Sequence, residues 1–475
     1  MATNLVEKLP ESVLLNIFHH LASKDLGRVG MVCKNWHRIA LDYSLWQHVD
    51  LRGLSLWKES IISLIEKISP FVSVMNISGC GLSVAFITTL AEKCVKLKTL
   101  SLQGAYFTDL VYNFRLCWNS FKTLENLDVR FLEGLCSNVF IEHIHLFRNI
   151  QSLGLANINS SGELERVFIS LRNLRIVHFQ NCPSLTDSNI DTLAGSCPKL
   201  ESLCLTGCIY VKGSTFPRLF AECRNLQTLL MSCTRLQNSN IMKTDWSKAS
   251  LTELDFSYCY GIGESGLMEM LPKLTDLRYL QLSFCGWGRA FSDNVISAMS
   301  QMNYQQLEIL DIHSSFNITG KTLCKFAERC PRLRSLCVGS AITSCEELRS
   351  LLKNLRNLKH FYITKQATIK TETVFTNIKK FCPRIETLAL YDFYAINRYR
   401  VENALVELVA ACKYLKVLCI RGTNVPLRTE LAQLADKVKT CTKRNDIEIS
   451  RRPYFLLSGA KLCLDSALKN STHLN

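Results

Sequence analysis

No stretch of the 475 residues approaches the ~20 unbroken apolar residues that a helix needs to cross a bilayer, so no membrane partner is expected. The start, MATNLVEKLPES, lacks the basic stretch, apolar core and small-residue cleavage site of an export signal. There is no C-x-x-C pair, which removes the usual spacing of zinc ribbons and thioredoxin-like redox sites. Catalytic signatures are missing as well: no glycine-rich phosphate loop, no H-E-x-x-H and no G-x-S-x-G. His19-His20 and His143-x-His145 are isolated pairs without a third ligand at metal-site spacing, and read as surface or core histidines. No catalytic residue, metal or cofactor is expected.

What is present is a globular composition, 47% apolar and 20% charged, with 22 cysteines. Without an export signal, these thiols are read as reduced and packed, in a cytoplasmic or nuclear protein. The net charge of +15 is unevenly placed. Residues 321–475 hold 28 Lys and Arg against 13 Asp and Glu, whereas residues 1–320 balance. Such asymmetry marks a candidate partner surface.

The dominant signal is repetition. The pattern L-x-x-L-x-L, with other large apolar residues allowed, starts fourteen times between Val72 and Leu415, about every 26 residues. The cleanest copies read LESLCLTGC, LTELDFSYC and LRYLQLSFC. In the first of these, Leu203 and Leu205 alternate with Cys204, the period of a short strand with one buried face. A cysteine recurs three residues after the motif's last apolar position, at Cys80, Cys182, Cys208, Cys259 and Cys285. Another recurs three residues before the motif, at Cys94, Cys197, Cys223, Cys330, Cys382 and Cys412. Both are read as small buried core slots. Between strands, TDSNIDTLAGSCPKL places capping residues Thr186 and Asp187 ahead of Ile190, Leu193 and Ala194 at helical spacing, and Pro198 ends the helix.

A strand–helix unit cannot bury its apolar face alone, so the units must stack. Residues 72–420 resemble the cysteine-containing class of leucine-rich repeats. The resemblance implies an α/β solenoid, curved, with parallel strands on the concave face and helices on the convex face. The copies at 103–123 and 156–173 are degenerate in their helical halves. The longer intervals after Leu277 and Ile385 imply longer loops. The domain reading is a small all-α module at 5–51, a solenoid of about 14 repeats at 52–426, and a closing cap and tail at 427–475, with a last strand at Ile447–Ile449.

In the N-terminal module, Leu14, Ile17, Phe18 and Leu21 form one helical stripe, and Val29, Val32, Cys33 and Trp36 a second. Fewer than fifty residues cannot easily bury this much apolar surface alone. The order of landmarks resembles an F-box: Leu9-Pro10, Leu14 to Phe18, Leu21, Asp25-Leu26, Val32-Cys33, Trp36 and Leu45-Trp46. Gly30 departs from the helix-favouring residue usual in the family. The resemblance implies docking to the Skp-type adaptor of a cullin–RING ubiquitin ligase through Leu9, Pro10, Leu14, Ile17, Phe18, Leu26, Val29, Val32 and Trp36. It further implies a non-catalytic receptor whose repeats hold the protein to be ubiquitinated.

Residues alternating with the strand leucines, among them Asp128, Arg130, Asp255, Tyr279, Asp311, His313, Tyr362, Tyr391 and Arg421, are expected to form an aqueous recognition face. Cys204, Cys337 and Cys419 are expected to share it. Just past the strands lies an aromatic series, Tyr258, Tyr260, Phe284, Trp287, Phe316, Phe393 and Tyr394. Aromatic and Arg residues dominate interface hot spots. The candidate substrate contacts are Tyr258, Phe284, Trp287, Arg289, Tyr391, Phe393, Arg398, Arg400 and Arg421. The arginines of the loop YDFYAINRYR, with Arg421, would suit an acidic or phosphorylated segment. A scaffold or inhibitor without a ubiquitin role is the alternative. A nucleic-acid partner would rest on charge alone and is not favoured.

Overall fold

The alternating leucines do form strands. In the computed structural model, residues 9–56, 59–108, 120–133, 143–159, 161–339, 341–364, 369–391, 398–421 and 428–450 are described. The chain divides into two compact units, one ending at Cys208 and the other beginning at Ile209.

In the first unit, each short strand pairs in parallel with that of the next repeat. The middle residues align as Val49, Met75, Leu100, Leu127, Leu153, Val177 and Leu203. All seven are at most 1% exposed, so the ladder is the unit's core. The sheet begins with His48–Asp50, inside the span assigned to the N-terminal module. The degenerate copy at 156–173 still folds a helix over Ser161–Ser170. Capping follows the sequence at Asp187–Ser196, where the Thr186 amide donates to Asn189 Oδ1 at 3.0 Å.

The second unit repeats the design, with Leu229, Leu254, Leu280, Leu310, Leu336, Phe361, Leu388, Leu418 and Ile449 in register. Helices of successive repeats pack on one another. Where the helix is short, at Asn238–Lys243, a buried Trp246 fills the space. It packs against Phe216 at 5.4 Å and Phe220 at 5.3 Å, and its indole donates to the Ile241 carbonyl at 2.8 Å. The closing elements are a helix over Arg428–Thr442 and a strand at Glu448–Ser450, one residue later than expected.

The cysteine slots are buried as expected, and they also hydrogen-bond. The Cys80 thiol donates to the Leu51 carbonyl at 3.1 Å, Cys259 to Met231 at 3.1 Å, and Cys197 to Leu171 at 3.4 Å. A small thiol thus adds a second donor to a backbone carbonyl of the preceding repeat, which a methyl group could not supply. Burial pushes the thiols of Cys94, Cys197, Cys259, Cys330 and Cys382 up to about 12. Among the described residues, Cys33, Cys233, Cys345 and Cys441 are the exposed ones.

Candidate functional site

The N-terminal module is three short helices, α1 (Glu11–His19), α2 (Ser23–Val29) and α3 (Lys34–Ala40). The second apolar stripe is therefore not one helix. Gly30 ends α2, and Cys33 caps α3 by accepting the Trp36 amide at 3.4 Å. Phe18 meets Trp36 edge-on at 5.5 Å, and Arg38 clasps the Glu11 carboxylate at 2.8 and 2.6 Å, which joins α1 to α3. The module is seated on the first strands. Trp46 is buried with its indole donating to the Ala40 carbonyl at 2.6 Å, and the Asp50 amide donates to Ser23 Oγ at 3.0 Å.

This seating divides the nine expected adaptor contacts. Leu14, Phe18 and Leu26 are 2–3% exposed and form the module's own core. Leu9, Val29 and Trp36 are half-buried, while Pro10, Ile17 and Val32 are exposed. Ile17 is 45% exposed and Val32 63%, and Val13 and Met31, not singled out in the sequence, are also exposed. Apolar side chains left in water on so small a module point to a partner.

The sheet face away from the helices departs from expectation in part, for Asp255, His313 and Tyr391 are half-buried while others are covered. Asp128, Arg130, Tyr279, Asp311, Tyr362, Cys204, Cys337 and Cys419 are all buried. Strands lie about 4.8 Å apart, so bulky side chains at one register position cover each other. In the first unit Arg130 binds Asp128 at 2.9 and 2.8 Å. In the second unit Cys337, Tyr362, Ala389 and Cys419 pack as an apolar cluster with Tyr391 against it. This face is floor, and exposure shifts to the turns after the strands.

There the structure gathers Tyr258, Tyr260, Phe284, Trp287 and Phe316 into one cluster. Phe284 lies at its centre, 6.0 Å from Tyr258, 5.9 Å from Tyr260, 6.1 Å from Trp287 and 6.2 Å from Phe316. Tyr260 stacks on Trp287 at 4.3 Å. Tyr258, Tyr260, Trp287 and Phe316 are 40–60% exposed, and Arg289 at the edge is exposed as well.

The backbone beneath is unusual. The residue before the loop cysteine is left-handed in repeat after repeat, and elsewhere it is Gly79, Asn181 or Gly207, types that tolerate that region. In two adjacent repeats it is Tyr258 (φ 58°) and Phe284 (φ 54°), and Trp287 (φ 59°) is left-handed too. Each costs roughly 1–2 kcal/mol relative to a relaxed backbone.

At the foot of the cluster stand Asp255 and Asp311. The Ser257 amide donates to Asp255 at 2.8 Å, and the Ser283 amide donates to Ser257 Oγ at 3.2 Å. Ser283 Oγ in turn donates to Asp311 at 2.6 Å, and the Gln281 amide group donates to Asp311 at 3.1 Å. Neither carboxylate has an ion-pair partner among the described residues. Burial pushes the Asp255 carboxyl up to about 6, its hydrogen bonds to Ser257 pull it back, and the Asp311 charge raises it further. Burial and the Asp311 charge likewise raise the Tyr258 phenol.

Of the basic pocket expected at the C-terminal third, the described backbone places three arginines. Arg398 and Arg400 open the helix Arg398–Ala411 rather than lying in the loop, because the extra residues of that long repeat lengthen its helix. Arg421 does end its strand, in register with Tyr391. Phe393 and Tyr394 lie outside the described residues. Tyr391 turns toward the strands, 6.2 Å from the ring of His313.

A three-helix module seated on a stack of parallel strand–helix repeats is the architecture of a leucine-rich-repeat protein with a docking module. A profile of the F-box-like family matches residues 6–52. Human F-box/LRR-repeat protein 12 is 36% identical over 114 residues, 22% of this chain and 34% of that protein. Bovine F-box/LRR-repeat protein 4 is 24% identical over 268 residues, 48% of this chain and 42% of that protein. The chain thus spans well under half the length of these curated relatives. Among solved structures, a chain of the Rad7 and Elc1 complex in yeast is similar in fold, with a TM-score of 0.53 at 15% identity, covering 82% of this chain and 88% of that one. The chain thus carries an F-box-like module at residues 6–52 ahead of a leucine-rich-repeat solenoid and is similar to F-box/LRR-repeat proteins.

Proposed function

We propose that this protein is the substrate-recognition subunit of a Skp–cullin–F-box ubiquitin ligase. The F-box docks the Skp-type adaptor, and through it the cullin and RING subunits. The repeats hold the protein to be ubiquitinated, and this subunit itself carries out no chemistry.

The observation that carries this reading is the division within the module. Leu14, Phe18 and Leu26 build its core, while Pro10, Ile17 and Val32 stay exposed at positions where the family resemblance puts adaptor contacts. On the substrate side, the aromatic cluster around Phe284 offers the large rigid side chains that dominate hot spots.

Reconstitution tests it. Purified chain is mixed with a Skp-type adaptor, cullin and RING subunits and a charged ubiquitin-conjugating enzyme. A stable four-part complex that ubiquitinates proteins captured by the repeats is expected. A chain that binds captured proteins yet never enters the complex would instead be a scaffold or inhibitor.

A further inference from the structure

Two features set part of the second unit apart from its other repeats. The first is an exposed aromatic cluster set on left-handed backbone. Tyr258 and Phe284 are left-handed at a turn position that is Gly or Asn in six other repeats and Phe131, Cys233 or Ser314 in three more, so the fold itself does not require an aromatic ring there. The second is a patch of carboxylates. The strands Glu253–Asp255, Tyr279–Gln281 and Ile309–Ile312 carry three acidic residues and no Lys or Arg. Glu253 accepts the Thr228 hydroxyl at 2.7 Å, whereas Asp255 and Asp311 accept from serine, glutamine and main-chain donors, and Asp311 also meets the Cys337 thiol.

The two features are physically joined. Ser257 and Ser283 link the two carboxylates and immediately precede Tyr258 and Phe284 in the chain. The Tyr258 hydroxyl feels the Asp311 charge. The rings present negative π-faces, and the carboxylates at their foot add negative charge of the same sign. An Arg or Lys side chain is attracted by both: the faces bind its charge at about 6 Å or less, and the apolar stem packs on the rings. An anionic group would be repelled by both. Arg289, two residues after Trp287, is exposed.

We propose that the cluster of Tyr258, Tyr260, Phe284, Trp287 and Phe316, with Asp255 and Asp311 at its foot, captures a basic side chain, Arg or Lys, in an exposed segment of the protein held by the repeats. The inference rests on the receptor reading and names the chemistry of what is received. The acidic segment expected from the basic C-terminal third is the opposite outcome.

Selection on a displayed library of random peptides tests it, using the full chain together with a Skp-type adaptor, wild type against Asp255→Asn/Asp311→Asn and Trp287→Ala. Wild type is expected to enrich peptides with Arg or Lys beside an apolar residue. Synthetic copies of the winners should lose roughly tenfold in affinity when Arg is replaced by citrulline, and similarly against either variant. Circular dichroism and retention of the adaptor establish that the variants remain folded. Enrichment of Asp, Glu or purely apolar peptides, enrichment that survives both variants, or no enrichment at all would overturn the inference. Loss of the adaptor by wild type would instead overturn the receptor reading, so the two failures are distinguishable.

Discussion

Asp255→Asn should make the second unit more stable at neutral pH, which few substitutions of a half-buried residue do. The Asp255 carboxyl is pushed from its ordinary 3.8 up to about 6, a shift of roughly two units at ~1.4 kcal/mol each. Because the folded value lies above the unfolded one, the charged form is disfavoured by folding. The penalty is full above the folded value and fades as pH falls from about 6 through the ordinary 3.8, below which the group is protonated in both states. Asparagine keeps an oxygen to accept the Ser257 amide, now 2.8 Å from Asp255, and carries no charge for Asp311 to repel. The variant should therefore gain up to about 3 kcal/mol near pH 7.5, about 1 kcal/mol near pH 4.5 and almost nothing near pH 3. Urea unfolding of both proteins at a series of pH values, read by hydrogen exchange of the Glu253–Asp255 strand amides, measures the difference. Comparing the two proteins cancels every other titrating group. A variant less stable than wild type at neutral pH, or a gap that ignores pH, would show that Asp255 is a structural residue and not a charge held against a stability cost.

Two further outcomes follow from the repeat architecture. Leu254→Ala removes a fully buried rung of the ladder and should cost ~2–5 kcal/mol, opposite in sign to the effect at its neighbour Asp255; equal effects at the two positions would mean that the strand faces the other way. In native protein, a maleimide reagent should label Cys33, Cys233, Cys345 and Cys441 first. Cys94, Cys197, Cys259, Cys330 and Cys382 should stay unlabelled until unfolding, because burial holds their thiols up at about 12. Mass spectrometry of digests decides the order, and early labelling of any buried slot would contradict the packing.

The repeats were legible because their period is written in side chains that must be buried: leucines on one strand face, cysteines at two fixed offsets. The aromatic cluster was half legible. Alternation placed Tyr258, Phe284 and Trp287 past the strands, but their convergence depends on left-handed turns that pattern alone does not reveal. The signal was present, since Tyr258 and Phe284 stand where Gly79, Asn181 and Gly207 stand in other repeats. The open sheet face was misjudged because alternation says which way a side chain points and not whether its neighbours cover it. Tyr279 and Tyr362 point away from the helices and are still buried. The apolar spacing of the second stripe of the F-box runs straight through Gly30 and reads as continuous, whereas the backbone stops α2 there. Arg398 and Arg400 were placed in a loop because a long repeat interval does not show whether its extra residues lengthen the turn or the helix.

The account's central claim is that the exposed apolar side chains of the F-box are an adaptor surface. Removing residues 1–50 would also strip the His48–Asp50 strand and the buried Trp46, so surface substitutions are the cleaner probe. Ile17→Glu and Val32→Glu change side chains that are 45% and 63% exposed, and should leave stability within about 0.5 kcal/mol. Calorimetric titration of a purified Skp-type adaptor into wild type and the double variant is the direct measurement. Saturable binding by wild type, lost by a hundredfold or more in a folded variant (about 2.7 kcal/mol), is the expected result. Unchanged binding by the double variant, or none by wild type, would contradict it.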